Sequence, residues 1–313
     1  MARRRAAGGG ASVTVLEAER TRLLAGFADE YPFEPRTLDV GGATLSYVDV
    51  GPRDGRTLLC VHGNPSWSFL WRAPIRALSG SWRCVAPDHV GMGLSDKPEH
   101  YEYRLARHVA NLTQLVRELD LRRITLAVHD WGGPIGLGAL FEERERFERL
   151  VITNTACFTG LAAPWRIRIC RTPLFGALAV RGLNAFAGAA ASMAVEKPLT
   201  AAARRGFLAP YHDWRSRVAV LRFVEDIPLD ARDASWATLV ELERRLPSLA
   251  SLPTAILWGE RDFCFTPRFR EQWQQLLPHA RVRRFEDAGH YLLEDAGTAA
   301  VDALVRFAEG GAP

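Results

Sequence analysis

The chain has 313 residues, of which 48% are hydrophobic and 24% charged, and its net charge at neutral pH is +4. That is enough apolar material for one large domain or two modest ones, and the small charge without an Arg–aromatic stripe excludes the usual nucleic-acid binders. None of the five cysteines sits at CxxC or metal-ligand spacing, which favours free thiols in a reducing, cytoplasmic compartment.

The N-terminus, residues 1–12, is rich in Arg and Gly, and we expect it to be disordered. It lacks the apolar run of a signal peptide, because Glu17, Glu19 and Arg20 interrupt the sequence that follows. Short β-branched runs then alternate with helical patterns, which indicates a mostly parallel sheet of the α/β class. The strands predicted first are 44–50, 57–61, 83–86, 124–128 and 150–153, with helices over 103–119 and 133–141.

The strand pattern stops after residue 156 and gives way to a helical pattern that prolines interrupt. Strands resume at 254–258 and 282–285, and each is followed by a helical pattern. We therefore predict one α/β domain, formed by residues 13–156 and 248–313, with a helical cap over 157–247 inserted before the penultimate strand.

The most apolar part of this cap is residues 174–195, which contain Arg181 and Asn184 near their centre. A charged side chain at the centre of a membrane span costs about 2.5–3.5 kcal/mol. We therefore expect a buried or surface-docked helix here, not an integral membrane span. Together with Trp214, this apolar insertion predicts a hydrophobic pocket suited to alkyl chains.

Asp130 stands where the predicted strand 124–128 meets the helix that begins at Gly132-Gly133. α/β-Hydrolases place their nucleophile on such a sharp strand-to-helix turn, and the strained backbone needs small neighbours. The chain has no GxSxG motif, so a serine nucleophile is disfavoured. A carboxylate can attack an alkyl carbon to form an ester, which a base-activated water can hydrolyse. The competing interpretation is that Asp130 only caps the helix.

The loop His62-Gly63-Asn64-Pro65 follows a strand at the place where this fold supplies one N–H of its oxyanion hole. The residue after the nucleophile, Trp131, supplies the other. Asn64 and Trp131 each add a side-chain N–H, and two such donors beside a carboxylate nucleophile would hold a leaving anion. The competing interpretations are a turn residue for Asn64 and a core aromatic for Trp131.

His290 follows the last predicted strand, where this fold places its general base. Asp262, after the penultimate strand, is the acid predicted to orient His290, with Glu260 and Asp226 as rivals. Asp88 is interpreted as a structural turn residue. Of the other histidines, we expect two to support the turns (His62 and His129) and five to lie on the surface or in loops (His89, His100, His108, His212 and His279).

These motifs resemble the haloalkane dehalogenase family, and the matching stretches are 62–65, 87–95, 129–133, 258–262 and 289–290. The resemblance implies an α/β-hydrolase fold and a five-residue site. That site consists of a nucleophile (Asp130), a base (His290), an acid (Asp262) and two anion-binding residues (Asn64 and Trp131). Some dehalogenases carry their acid as Glu after the strand that precedes the cap. Here Asn154 holds that place, which favours Asp262.

The choice of Asp262 as the acid resembles one branch of the haloalkane dehalogenase family. That branch also contains the cis-β-lactone decarboxylases of bacterial long-chain olefin biosynthesis, and the cap resembles theirs. The resembling stretches are 181–186, 207–211 and 223–229. The resemblance implies a cis-3-alkyl-4-alkyloxetan-2-one as substrate, with a cis-alkene and carbon dioxide as products. No metal or nucleotide motif appears in the sequence, so we expect no cofactor, and the apolar insertion predicts a hydrophobic small-molecule substrate with alkyl chains. An association with other olefin-pathway enzymes is left open.

Other functions remain open at this point. Haloalkane dehalogenation would use the same five residues and release a halide and an alcohol. Epoxide hydrolysis needs two cap tyrosines to protonate the epoxide oxygen, and the predicted cap contains only Tyr211. A haloacid dehalogenase is disfavoured because its site requires Arg, not Trp131, beside the nucleophile. A ligand-binding protein on a former hydrolase scaffold is the non-enzymatic alternative, against which the complete set of site residues argues.

Overall fold

The computed structural model describes residues 22–160 and 164–313. Residues 1–12, which we predicted to be disordered, lie outside this part of the chain. The strands form one sheet in the order β1-β2-β4-β3-β5-β6-β7-β8. They are β1 (Pro35–Asp39), β2 (Thr44–Val50), β3 (Thr57–Val61), β4 (Arg83–Pro87), β5 (Ile124–His129), β6 (Phe147–Thr153), β7 (Thr254–Gly259) and β8 (Arg281–Phe285).

The sheet is parallel from β4 through β8, and β2 pairs antiparallel with both β1 and β4. The mostly parallel sheet predicted from the sequence is therefore confirmed. Only β1 was missed by the prediction. This edge strand buries none of its five residues, so its sequence carries no alternation of apolar and polar side chains.

Helices connect the strands and cover the sheet. The α-helices are α1 (Arg72–Leu78), α2 (Leu105–Glu118), α3 (Gly132–Glu142), α4 (Trp165–Ile169), α5 (Ala185–Met193), α6 (Ala201–Leu208), α7 (Val218–Glu225), α8 (Trp236–Arg245), α9 (Pro267–Leu276), α10 (Leu292–Asp295) and α11 (Thr298–Ala308). Short 3-10 helices occupy Ser68–Trp71, Arg144–Arg146 and Leu246–Ser251, and a π-helical segment occupies Ala177–Gly182.

The central strands are buried on both faces. Leu59 and Val61 of β3 join one hydrophobic core with α2 and α3, whereas Leu58 and Cys60 join the other with α1 and α11. Successive side chains of a strand point to opposite faces, so one apolar run supplies both cores. With both faces covered by helices, a binding site is expected at the carboxyl ends of the strands.

The segment between β6 and β7 contains α4 to α8 and, in the residues described there, no strand. The helix predicted over 174–195 is wrong as one element, because it is divided into the π-helical segment and α5. Asn184 lies between them with φ 53°, in the left-handed region of backbone conformation. This conformation interrupts the right-handed helix between the π-helical segment and α5. Among all the helices that the structure describes, none is long and apolar enough to cross a membrane.

Candidate active site

The chain turns sharply between β5 and α3, and Asp130 lies at this turn with φ 52°. Asp tolerates the left-handed region better than most residues, although the strain costs about 1–3 kcal/mol. The turn is held by its backbone: the N–H of Asp130 donates to the carbonyl of Asn154 at 3.1 Å, and its carbonyl accepts from the hydroxyl of Thr155. A Cβ at Gly133 would collide with that hydroxyl, which explains the glycine.

The carboxylate of Asp130 is buried against the loop that follows β3. Its Oδ1 accepts the backbone N–H of Asn64 at 2.7 Å. Burial raises the pKa of Asp130, while the charge of His290 and the backbone N–H groups of Trp131 and Asn64 act to lower it. A Cβ at Gly63 would collide with this carboxylate, so the loop can come this close to Asp130 only because residue 63 is a glycine. The two backbone N–H groups predicted for an oxyanion hole thus lie at the elbow.

His290 lies between two carboxylates. Its Nδ1 is 2.8 Å from Oδ2 of Asp262, and its Nε2 is 3.9 Å from Oδ2 of Asp130. Burial acts to lower the pKa of His290, but the charge of Asp262, its hydrogen bond and the charge of Asp130 together raise it. Burial acts to raise the pKa of Asp262, yet the charge and hydrogen bond of His290 lower it.

Each oxygen of the Asp262 carboxylate has two hydrogen-bonding partners. Oδ1 accepts the N–H groups of Cys264 at 2.7 Å and Phe265 at 3.0 Å, and Oδ2 accepts Nδ2 of Asn154 at 3.0 Å beside the imidazole. Asn154 is fully buried and also exchanges two hydrogen bonds with the backbone of Gly259. In the sequence, Asn154 was notable only because it occupies the position at which some dehalogenases carry their acid. In the structure it donates a hydrogen bond to the predicted acid, Asp262.

The two rival candidates for the acid, Glu260 and Asp226, form ion pairs with arginines instead of contacting His290. Glu260 pairs with Arg270 at 2.7 Å. Asp226 pairs with Arg104 at 2.7 Å and also accepts a backbone N–H at the start of α2. Asp88 accepts two backbone N–H groups at 2.8 Å each, in agreement with its interpretation as a structural turn residue.

Asn64 and Trp131 both line the cavity beside the elbow. Asn64 Nδ2 donates to the carbonyl of Val220 in α7 at 3.0 Å, so one of its amide hydrogens already connects the loop to the helices inserted between β6 and β7. Its second hydrogen remains available for an anion. The indole of Trp131 packs edge-to-face on Phe223, with 5.3 Å between the ring centroids.

The expectation for His108, a surface or loop position, is wrong, because this residue is buried in α2. His89 lies in a loop as predicted, but it is buried there. The rings of His62 and His89 lie 4.3 Å apart, and Nε2 of His62 accepts the backbone N–H of His89 at 3.0 Å. Burial lowers the pKa of His89 to about 4, so it is neutral at pH 7. His108 packs on Phe223 at 4.5 Å. These contacts join segments distant in sequence, which no local pattern reports.

A cavity of about 250 Å³ is lined by the elbow and by the helices between β6 and β7. Asp130 and His290 are on its wall, and most of the remaining wall is apolar. The apolar side chains from the inserted helices include Ile167, Phe186, Ala189, Ala190, Met193 and Leu239. Trp214, which we predicted as part of this pocket, does not line it. Its side chain is 45% exposed and packs on the guanidinium of Arg181 at 4.6 Å.

Comparisons with known proteins agree with this geometry. The profile of the family described as alpha/beta hydrolase fold matches residues 56–297. The chain is 43% identical over 291 residues to a cis-3-alkyl-4-alkyloxetan-2-one decarboxylase from Xanthomonas campestris pv. campestris, with 89% of this chain and 97% of that protein covered. It is 32% identical over 270 residues to haloalkane dehalogenase 2 from Mycobacterium bovis, with 85% and 92% covered.

The fold of this chain is also similar to that of a solved structure. The crystal structure of a haloalkane dehalogenase from Bradyrhizobium elkani matches with a TM-score of 0.81. The match covers 89% of this chain and 98% of that chain at 24% identity, so it supports the fold alone.

Proposed function

The chain belongs to the α/β-hydrolase family, in the group of the cis-3-alkyl-4-alkyloxetan-2-one decarboxylases and haloalkane dehalogenases, and we propose that it converts cis-3-alkyl-4-alkyloxetan-2-ones into cis-alkenes and carbon dioxide. The observation that carries this proposal is the carboxylate of Asp130 at the elbow, on the wall of an apolar cavity. Identity of 43% with a decarboxylase, against 32% with a dehalogenase, favours the lactone as substrate.

In the proposed site, Asp130 is the nucleophile, Asp262 orients His290, and Asn64 and Trp131 bind the carboxylate that leaves. The distances of 2.8 Å between His290 and Asp262 and 3.9 Å between His290 and Asp130 support these roles. The positions of Asn64 and Trp131 on the cavity wall, next to the nucleophile, support theirs.

The reaction balances in two steps. Asp130 attacks C4 of the lactone ring, an ester bond forms, and the bond from C4 to the ring oxygen breaks to release a carboxylate. The bond from C3 to that carboxylate then breaks, its electrons form the alkene, carbon dioxide leaves, and the ester bond to C4 breaks to restore Asp130. Inversion at C4 followed by anti elimination preserves the cis arrangement of the two alkyl groups.

Neither step transfers a proton, so His290 would act through its charge. Asp262 and Asp130 raise the pKa of His290, and a charged imidazole would stabilise the carboxylate of Asp130 that re-forms as the alkene leaves. A hydrolytic enzyme, by contrast, needs this imidazole in its neutral form to activate water.

The second candidate function is haloalkane dehalogenation, which the 32% identity with a dehalogenase supports. It would use the same five residues, with His290 as the base that hydrolyses the Asp130 ester. Epoxide hydrolysis is disfavoured. The cap tyrosine Tyr211 donates its hydroxyl to the carbonyl of Ser66 at 3.2 Å and does not line the cavity.

Residues 157–247 would act as the cap over a core formed by residues 13–156 and 248–313. The apolar side chains that α5 contributes to the cavity, Phe186 and Met193 among them, support this division. They also suit the alkyl chains of a hydrophobic small-molecule substrate. Association with other enzymes of olefin biosynthesis and a cytoplasmic location stay predictions.

The two candidate functions are separated by their products. Purified protein is given a synthetic cis-3-alkyl-4-alkyloxetan-2-one or a bromoalkane of similar chain length, with alkene measured by gas chromatography and bromide by ion chromatography. We expect alkene and carbon dioxide in equal amounts from the lactone, with little bromide from the bromoalkane. Asp130→Asn should abolish both reactions. Bromide release that exceeds alkene release would assign the protein as a dehalogenase.

A further inference from the structure

The outer surface of the inserted helices exposes many large apolar side chains. Of the nine that the described residues expose, seven lie between residues 165 and 193. They form what we call the cap surface: Trp165, Ile169, Leu174, Phe175, Leu178, Leu183 and Met193. Leu174 is 88% exposed and Leu183 is 76% exposed, so these side chains are not partly covered core residues. Single exposed apolar residues are common on soluble proteins, but such a concentration marks an interaction surface.

The cap surface is also basic. Residues 157–195 contain four arginines and neither Asp nor Glu. Arg171 and Arg181 are paired with carboxylates from elsewhere in the chain, at 2.6 Å each. Arg166 and Arg168 are exposed, and no carboxylate of the described residues forms an ion pair with either. Exposed apolar side chains beside unpaired positive charges are typical of segments that lie in the interface of anionic bilayers.

The helices that carry the cap surface also contribute to the wall of the cavity. In α4, Trp165 and Ile169 are exposed, whereas Arg166 and Ile167 line the cavity. Met193 of α5 does both. A molecule that leaves the cavity on this side therefore passes the cap surface.

We propose that the cap surface docks this protein onto a bilayer that contains anionic lipids. The apolar side chains enter the interface, and Arg168 stays among the headgroups, as long basic side chains do. The benefit of docking rests on the proposed function, because a dialkyl lactone and an alkene both partition from water into hydrocarbon. A cavity that opens at the bilayer exchanges them with the lipid without crossing water.

Vesicle co-sedimentation tests the docking without any use of activity. The full chain is mixed with vesicles of phosphatidylcholine alone, or with about a third phosphatidylglycerol, at low and high salt. We expect binding to the anionic vesicles that weakens with salt. The double substitution Leu174→Ser with Phe175→Ser should lower the partition coefficient at least about tenfold, because two apolar side chains no longer leave water. Arg168→Gln should lower it about fivefold on anionic vesicles.

Two matched controls lie outside the cap surface. Val240→Ser removes another exposed apolar side chain, 40% exposed, and Arg232→Gln removes an arginine that is 91% exposed. Both should bind vesicles as the unchanged protein does, and all variants should melt at similar temperatures by circular dichroism. Binding by the Leu174 and Phe175 variant that equals the control overturns the proposal.

Two further results would also overturn the docking. One is the absence of binding to either vesicle. The other is self-association in sedimentation velocity that the Leu174 and Phe175 substitutions abolish without any effect on vesicles, because a second copy would then be the occupant. Turnover of a short, water-soluble cis-lactone is measured separately. Its absence from the unchanged protein would count against the proposed function and leave the vesicle result standing.

Discussion

The role of His290 distinguishes the two candidate reactions most sharply. The substitution His290→Gln removes the imidazole but keeps a side chain that can hydrogen-bond to Asp262. In the proposed decarboxylation the Asp130 ester is resolved by loss of carbon dioxide, which needs no base. In dehalogenation the ester must be hydrolysed, and a positioned general base contributes about 10²–10⁴-fold to such a step. We therefore expect alkene release to continue in this variant, while bromoalkane turnover stops after one equivalent.

The expected loss of alkene formation can be bounded from the structure. The imidazolium Nε2 lies 3.9 Å from the Asp130 carboxylate. Two unit charges about 4 Å apart attract by roughly 4 kcal/mol at an effective dielectric constant of about 20, which is an upper limit for what His290 contributes. If about a third of this survives relaxation of the site, the rate of alkene formation falls about tenfold at neutral pH.

Intact-protein mass spectrometry after a rapid quench measures the ester directly. With any bromoalkane that the unchanged protein turns over, the His290→Gln protein should gain one alkyl group on Asp130, and Asp130→Asn should gain none. With the lactone, alkene should form without accumulation of an adduct. An adduct of lactone mass that persists while no alkene forms would refute the reasoning, since the base would then be needed after all. Absence of any alkyl adduct with a bromoalkane that the unchanged protein turns over would refute an Asp130 ester.

Three further predictions concern the support of the site. Asp262→Asn should lower the pKa of His290, because the charge of Asp262 raises it; a titration by NMR that finds no downward shift would contradict this. Asn154→Ala should lower the free energy of unfolding by about 1–3 kcal/mol, measured in urea, because the amide of Gly259 and the Asp262 carboxylate lose a buried partner. Asp130 must be ionised to attack, and burial raises its pKa above 3.8, so alkene formation should fall as pH drops through a value above 3.8. A rate that stays level down to that pH would argue against Asp130 as the nucleophile.

The order of the elements could be predicted because each central strand is a short run of apolar or β-branched residues that is visible in the local sequence. β3 is a run of five apolar or β-branched residues, all buried, and its predicted bounds agree with the structure. β1 could not be predicted in this way, since an exposed edge strand is held by pairing with β2 and not by an apolar pattern. The division of residues 174–195 depends on one residue in the left-handed region, Asn184, which composition does not reveal.

Burial of polar residues was the weakest part of the prediction. His89 and His108 look like loop and helix-surface residues in the sequence, yet they pack on His62 and Phe223. Trp214 looks like a pocket residue, yet it covers Arg181 on the outside. In each case the deciding contact joins residues far apart in the chain, so no window of neighbouring residues contains it.

Reading the sequence was enough to predict the residue types at the turn: an aspartate at the end of β5, glycines where the backbone approaches closely, and a histidine after the last strand. These follow from local constraints, because a sharp turn restricts which side chains fit beside it. The contacts of these residues depend on how the chain folds. Asn154 reaches Asp262 across 108 positions of sequence, and Asn64 reaches the cap across 156. Such contacts exist only after the sheet has aligned its strand ends and the cap has packed over them, since packing, not sequence proximity, sets which polar groups meet.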